Sequence, residues 1–401
     1  MENPNFQSKK IMDLTDRHIM HTYARQPIVL ARGEGSYVWD LTDKKYLDFL
    51  SGISVMNLGH RVPQVIKKIE EQMSQIFHCS NIYYTVPAAL LAEMLTARTF
   101  ADQVFFCNSG AEANEAAIKL ARAYASKNRG PECREIISMH RSFHGRTMAT
   151  LSATGQEKVR KGFEPFLPGF HFVNFGDLES LKAKITSHTA AILLEPIQGE
   201  GGIYIPPKGY LSQVRQLCSS EGIVLIFDEI QVGMGRTGKF CAHEWEGMTP
   251  DIMTLAKALG GGLPLGACLA TEQVAKAFEP GMHASTFGAN PISCAAGQAM
   301  VEAIGSDELL SNCVARGEQL QQGLMDLSKK YDVIGEIRGR GLIWGMELDF
   351  EAKSFIKTCL EQGLLVNLAG AHVVRMLPPL NVQESQVEEA LGILDSVFQD
   401  L

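Results

Sequence analysis

The sequence predicts an α/β protein: a mainly parallel β-sheet covered by helices, with a smaller α+β domain built from the two chain ends. Three observations predict it. The middle of the chain repeats a short apolar run, a loop and a helical pattern, and these runs do not alternate with polar residues. Strands that are apolar on both faces occur mainly in parallel sheets sandwiched between helices. The ends read differently, and the 401 residues are enough for two or three domains. The expected division is 1–58 for the N-terminal part of the small domain, 59–295 for the large domain and 296–401 for the C-terminal part of the small domain.

In chain order, EGSYVWDLTDKKYLDFLSG reads as a hairpin with polar turns. QVFFC is a strand followed by an Ala-rich helix over 111–125. EIISM, AILLE, IVLIF and IMTLA are further buried strands, and GACLA is another, followed by a helix from Thr271. Beyond residue 300, helical spacing over 306–330 and 384–400 flanks the strand-like LIWGMEL and VVRML.

Composition excludes several classes. The net charge is −8, without a basic stripe, so nucleic acid is not an expected partner. No segment approaches the roughly 20 apolar residues of a membrane span, and the N-terminus lacks the apolar run of a signal peptide. A cytosolic protein without membrane contact is expected. The nine cysteines are scattered without a C-x-x-C pair, which suggests buried, reduced thiols and no metal site.

VGMGRTGKF matches two phosphate-binding patterns. Gly233, Gly235 and Gly238 fit G-x-G-x-x-G, and Gly233, Gly238 and Lys239 nearly complete a P-loop. A dinucleotide fingerprint should join a strand directly to a helix, but IVLIF ends at Phe227 and KFCAHEWEG carries no helical signature. The P-loop needs a hydroxyl after the lysine to hold magnesium, and here stands Phe240. A glycine-rich surface turn that lets backbone segments approach is the better reading.

A different phosphate site is suggested by three other features. Asp228 directly follows IVLIF, at the carboxyl end of a buried strand, where ligands of open α/β sheets bind. Alone, such an aspartate commonly just caps the next helix. Lys257 ends a second apolar run ahead of Ala-Leu-Gly-Gly-Gly; most lysines are solvated charges, but burial here would leave a neutral, nucleophilic amine. Together the two suit pyridoxal phosphate, whose aldehyde bonds a lysine and whose ring nitrogen is kept protonated by a carboxylate. The phosphate itself would sit where QVFFC turns through Asn108-Ser109-Gly110 into a helix, since free N–H groups and the helix dipole hold a dianion there.

With these residues in place, SGAEANEAAIKLAR, SFHGRT, EPIQGEGG, FDEIQVGMGRTGKF, TLAKALGGGLPLGA, STFGANP and RMLPPL follow the order seen in class III pyridoxal-phosphate aminotransferases. The chain resembles that family over nearly its whole length. The resemblance implies the pyridoxal-phosphate transferase fold of type I, with Lys257 bonded to the cofactor and Asp228 partnering the ring nitrogen. Gln231 would approach the ring hydroxyl and Phe143 would stack on the ring. Ser109, Gly110 and Ala111 would hold the phosphate, which Thr286 of a neighbouring subunit also reaches, so a homodimer with shared active sites is implied. VGMGRTG becomes a structural loop beside the site.

For substrate, the resemblance implies that Arg146 clamps a carboxylate, Arg375 takes the α-carboxylate of glutamate, Glu200 pairs with Arg375 while the other donor is bound, and Ser285 sits nearby. The implied reaction is transamination between N-acetylornithine and 2-oxoglutarate in arginine biosynthesis. Related donors such as 4-aminobutyrate, free ornithine or a succinylated amino acid are the alternative. A nucleotide-binding module and a catalytically inert relative are the rivals from other classes. The chain departs from the family pattern at Met56, where Asn is common, at Val232, where Thr is, and at Ala284 and Ala289, where Gly is.

Overall fold

A computed structural model describes residues 4–401; the first three residues of the expected 1–58 segment lie outside the described residues. Three sheets organise the described chain. Near the N-terminus, β1 (Leu30–Glu34), β2 (Tyr37–Asp40) and β3 (Lys45–Asp48) form an antiparallel meander. The central strands are β4 (Gln103–Cys107), β5 (Glu135–Met139), β6 (Phe170–Val173), β7 (Thr189–Leu194), β8 (Val224–Asp228), β9 (Ile252–Leu255) and β10 (Gly266–Ala270). Towards the C-terminus come β11 (Ile334–Arg340), β12 (Ile343–Leu348), β13 (Leu364–Leu365), β14 (Asn367–Ala369) and β15 (Val373–Met376).

The central sheet has the order β4-β10-β9-β8-β7-β5-β6. Strands β9, β8, β7, β5 and β6 are mutually parallel, and every residue of β7, β8, β9 and β10 is buried. Burial on both faces is why their sequences read as unbroken apolar runs. Strand β10 departs from the expected parallel pattern, running antiparallel to both β4 and β9. The helix expected from Thr271 is a single turn, Glu272–Ala275.

The chain ends meet. Strand β13 adds in parallel to β3, completing the sheet β1-β2-β3-β13, and the third sheet has the order β11-β12-β15-β14. One apolar cluster runs from Leu47 and Phe49 through Leu255, Leu259 and Met300 to Leu394 and Phe398, so terminal segments and central sheet share a core. Each large side chain fully buried there contributes about 1.5–3 kcal/mol.

The loop at 232–238 is a correction to the sequence reading: it is buried, not at the surface. Its glycines do serve close approach. Gly235 and Gly238 have φ of +83° and +88°, and a β-carbon on Gly235 would meet Leu380 at 2.6 Å. Arg236 between them is fully buried and has no carboxylate partner among the described residues. It donates to Ser54 Oγ (3.0 Å), Leu342 O (2.9 Å), Pro378 O (2.5 Å) and Asn57 Oδ1 (2.5 Å). One guanidinium thus ties the N-terminal segment, the central loop and the C-terminal region together.

Ser54 ends a stretch in which Ser51, Gly52, Ile53 and Ser54 all have φ between +50° and +64°. A left-handed turn of L-residues costs about 1–2 kcal/mol per residue, so its surroundings must impose it. Asp48 Oδ1 accepts from Leu50 N and Ser51 N, and Ser54 Oγ donates to Gln231 O at 3.0 Å. Replacing Arg236 by Met removes the donors and strands buried acceptors. Arg236→Met should lower stability by about 3 kcal/mol in chemical denaturation; an unchanged midpoint would refute the tying role.

Candidate active site

Five loops converge at the carboxyl ends of the parallel strands, where open α/β sheets bind their ligands. Ser109 and Gly110 follow β4, Phe143 and His144 follow β5, Glu195 follows β7, Asp228 ends β8 and Lys257 follows β9. They line a cavity of about 500 Å³ together with Ala111, Arg146, Glu200, Gln231 and Val55.

At one end, Ser109 caps the helix Gly110–Arg129, its hydroxyl accepting from Glu112 N at 3.2 Å. The N–H groups of Gly110 and Ala111 have no intrahelical acceptor at this first turn. Gly110 permits the helix to approach the loop after β8, since a β-carbon there would lie 2.8 Å from Ile230 Cδ1. At the centre, Asp228 is 4% exposed, and its Oδ2 accepts from Asn114 Nδ2 (2.7 Å) and meets His144 Nδ1 (2.7 Å). Asn114 Oδ1 in turn accepts from Thr254 Oγ1, and its Nδ2 also donates to His144 O. These bonds fix the Asp228 carboxylate, while His144 Nε2 is buried without a partner.

Lys257 opens a short turn with φ of +47°, an unusual angle for a lysine. Its amine has no hydrogen bond or ion pair among the described residues. Burial, partly offset by the carboxylates of Glu200, Asp228 and Glu195, brings its pKa down from 10.5 to about 8.

Beyond Lys257, the fully buried Arg375 projects from β15. Its Nε donates to Asn367 Oδ1 on the neighbouring strand β14 (3.1 Å), and its Nη1 donates to Glu200 Oε1 (2.5 Å) and Gln231 Oε1 (2.9 Å). Gln231 Nε2 closes the triangle on Glu200 Oε1 at 3.0 Å. Burial would raise the Glu200 carboxyl, but Arg375 and Lys257 beside it take it down to about 2. The second terminal nitrogen of Arg375 is buried without a partner.

Of the residues expected from sequence, Ser109, Gly110, Ala111, Phe143, Arg146, Glu200, Asp228, Gln231 and Lys257 line this one cavity, and Arg375 lies directly behind Glu200. Arg146 is exposed, 5.6 Å from the Phe143 ring centroid. Ser285 and Thr286 do not join them. They line a separate cavity of about 490 Å³ with Ala284, Asn108 and Phe287, and Ser285 Oγ accepts from Asn108 Nδ2. Met56 lies one layer out, its sulfur 3.3 Å from where a β-carbon on Gly262 would stand. Val232 packs in an apolar cluster with Ile197, Ile203 and Leu377, where a methyl suits better than a hydroxyl.

Sequence reasoning missed His144, Asn114, Glu195 and Asn367. His144 lies inside SFHGRT, Glu195 opens EPIQGEGG and Asn114 lies inside SGAEANEAAIKLAR, so the motifs held a signal; Asn367 reveals itself only through its partner. The arrangement fits a flat, anionic, aldehyde-bearing group. It offers N–H groups for a phosphate, a carboxylate beneath, a low-pKa amine within reach, and a spare buried guanidinium nitrogen for a second anion. In cofactor-free protein, labelling of Lys257 by an amine-reactive reagent should titrate with a midpoint near 8, because burial disfavours the ammonium. A midpoint near that of a free lysine would refute the buried setting.

Comparison with known proteins agrees. The family profile "Aminotransferase class-III" matches residues 19–398. The acetylornithine aminotransferase of Methanocaldococcus jannaschii is 49% identical over 97% of this chain and 98% of its own. That of Gloeobacter violaceus is 49% identical over 96% and 97%. Among solved structures, ornithine aminotransferase from Toxoplasma gondii superposes with a TM-score of 0.95 at 31% identity, covering 98% of this chain and 95% of that one. Acetylornithine aminotransferase from Elizabethkingia anophelis gives 0.88 at 32%, covering 98% and 99%. With the cavity at the strand ends, its buried lysine and its aspartate accounted for, the chain belongs to the class III aminotransferases, pyridoxal-phosphate-dependent transaminases of fold type I.

Proposed function

We propose that the protein transfers the side-chain amino group of N2-acetyl-L-ornithine to 2-oxoglutarate, giving N-acetylglutamate 5-semialdehyde and glutamate, a step of arginine biosynthesis in the cytoplasm. The observation that carries this reading is the buried Arg375–Glu200 pair a short way beyond the Lys257 amine. Full-length relatives with 44–49% identity named acetylornithine aminotransferase support it.

In this reading Ser109, Gly110 and Ala111 hold the phosphate, Phe143 covers the ring, Asp228 faces the ring nitrogen and Gln231 the ring hydroxyl. When bound, pyridoxal phosphate supplies the electron sink and carries the amino group between the two substrates. Lys257 Nζ moves the proton. With its pKa near 8, roughly one lysine in ten is neutral at pH 7, against fewer than one in a thousand at the ordinary value. A neutral amine can take the proton from the donor's amine-bearing carbon, and its conjugate acid can return it, on the scale of 10²–10⁴ in rate.

Arg375 grips the α-carboxylate of glutamate or 2-oxoglutarate once Glu200 yields its place. With acetylornithine, whose reacting end carries no carboxylate, Glu200 stays paired and Arg146 clamps the distant carboxylate by its planar fork. Ser285 and Thr286 act across an interface: Phe287 in the same cavity is exposed, and Asn81 Nδ2, beside exposed Ile82 in the chain, donates to Ser285 O and Gly288 O. A patch of this kind suits a second copy of the chain, whose phosphate site Thr286 would complete.

Three outcomes test the reading. Purified protein should be yellow, with a band bleached by borohydride, and Lys257→Ala should lose that bleachable bond and at least about 10²-fold in turnover. In a donor panel with 2-oxoglutarate, acetylornithine should lead by kcat/KM; a tenfold preference for 4-aminobutyrate or free ornithine would overturn the substrate assignment. The likeness to ornithine aminotransferase gives that second reading its place in the panel. Sedimentation should return twice the chain mass of 44.0 kDa, and a fully active monomer would remove the shared-site proposal.

A further inference from the structure

We propose that Glu195 is a positioning residue that clamps together the loop carrying Phe143 and the turn carrying Glu200. Glu195 follows β7 and Asp228 ends β8, and the β7–β8 register sets the two carboxyl groups side by side at the strand ends. Both are almost fully buried. Asp228 is held by Asn114, His144 and Ile230 N. Glu195 is held differently. Its Oε2 accepts from Phe143 N at 3.1 Å and its Oε1 from Gly199 N at 3.2 Å.

These two bonds reach different parts of the site. Phe143 walls the cavity, and Gly199 precedes Glu200, the partner of Arg375. Gly199 also packs against the Gln231 side chain, whose amide oxygen would collide with a β-carbon there and would have to shift to admit one. Holding Gly199 therefore sets Gln231 and Glu200 at once. The same loop and turn are also joined by Gln198 Nε2, which donates to His140 O at 2.9 Å, but Glu195 makes the bond to the Phe143 backbone itself. Burial and the adjacent Asp228 push the Glu195 carboxyl well above the usual range, while the two N–H groups act against that. A carboxyl retained at a site that disfavours its charge is explained by the need for two acceptor oxygens 52 and 4 residues from their donors.

The inference rests on the reading of Phe143 and Glu200 given above, and the test separates the two. Glu195→Gln keeps the size but leaves one acceptor, so one clamp must open. In cofactor-free protein, hydrogen exchange at the Phe143 or Gly199 amide should rise about tenfold, the scale of one lost hydrogen bond, while the β7 and β8 amides stay unchanged. With pyridoxal phosphate bound, visible circular dichroism should weaken, and KM for 2-oxoglutarate should rise by more than kcat falls. Unchanged exchange at both loops, or exchange raised equally along β7 and β8, would overturn the clamp. Should the Gln variant not fold, Glu195→Asp, with both acceptors on a shorter stem, is read by the same exchange pattern and the same two outcomes. If wild-type protein lacks the bleachable band and turnover, the proposed function fails; if wild type has both and the variant matches it throughout, only the clamp fails.

Discussion

The site depends on the balance of charge in one buried space. Two cations, Lys257 and Arg375, face three carboxyl groups, Asp228, Glu195 and Glu200; Arg375, Asp228 and Glu195 are buried and Lys257 and Glu200 half-buried, so water screens them only in part. Each shift follows from its neighbours. Glu200 is driven down by two cations, Glu195 is driven up by burial beside Asp228, and Lys257 is left with a pKa near 8 because desolvation outweighs the attraction of its carboxylates. Removing any one of these groups would retune the others, so the lysine's basicity is a property of the cluster.

That balance needs both chain ends. Lys257, Asp228 and Glu195 come from the central sheet, but Arg375 comes from β15 and Val55 from the N-terminal segment. Arg236 is the link, because the same guanidinium that binds Ser54 and Asn57 also binds Leu342 and Pro378. Ser54 then holds Gln231 O, so the grip of the N-terminal segment reaches a residue inside the cavity. The Gly-rich loop that imitates a nucleotide site is therefore a joint, and its glycines are needed where Leu380 and Val314 crowd the backbone.

Much of this was legible in the residues. Double-sided burial left unbroken apolar runs, which marked β5, β7, β8, β9 and β10; β4 stood out by its apolar QVFFC although it is only partly buried, while the half-buried β6 in FHFV carried no such mark. The antiparallel course of β10 was hidden because direction leaves no trace in a strand's own sequence. Depth was misjudged at 232–238, where small and polar residues suggested a surface turn but neighbours from three segments enclose it. In the site, groups that do unusual chemistry stood out by position, Asp228 at a strand end and Lys257 before glycines. Groups that act through others did not: Asn367 is recognisable only once the β14–β15 register sets it opposite Arg375.

In the proposed reaction, the same register bears on how one cavity would serve two substrates. Breaking a buried pair such as Arg375–Glu200 costs about 3–5 kcal/mol when nothing replaces the lost partner. Asn367 binds Nε rather than the nitrogen that Glu200 takes, so Nε would keep its acceptor while only the terminal nitrogens changed hands. A substrate carboxylate arriving there restores the charge and also meets the nitrogen that has no partner, which returns most of that cost. An amine donor lacking a carboxylate at its reacting end offers no such return, so for it the pair stays closed. On that proposal, discrimination of about 10²–10⁴ would follow from one ion pair, without any change in the shape of the cavity.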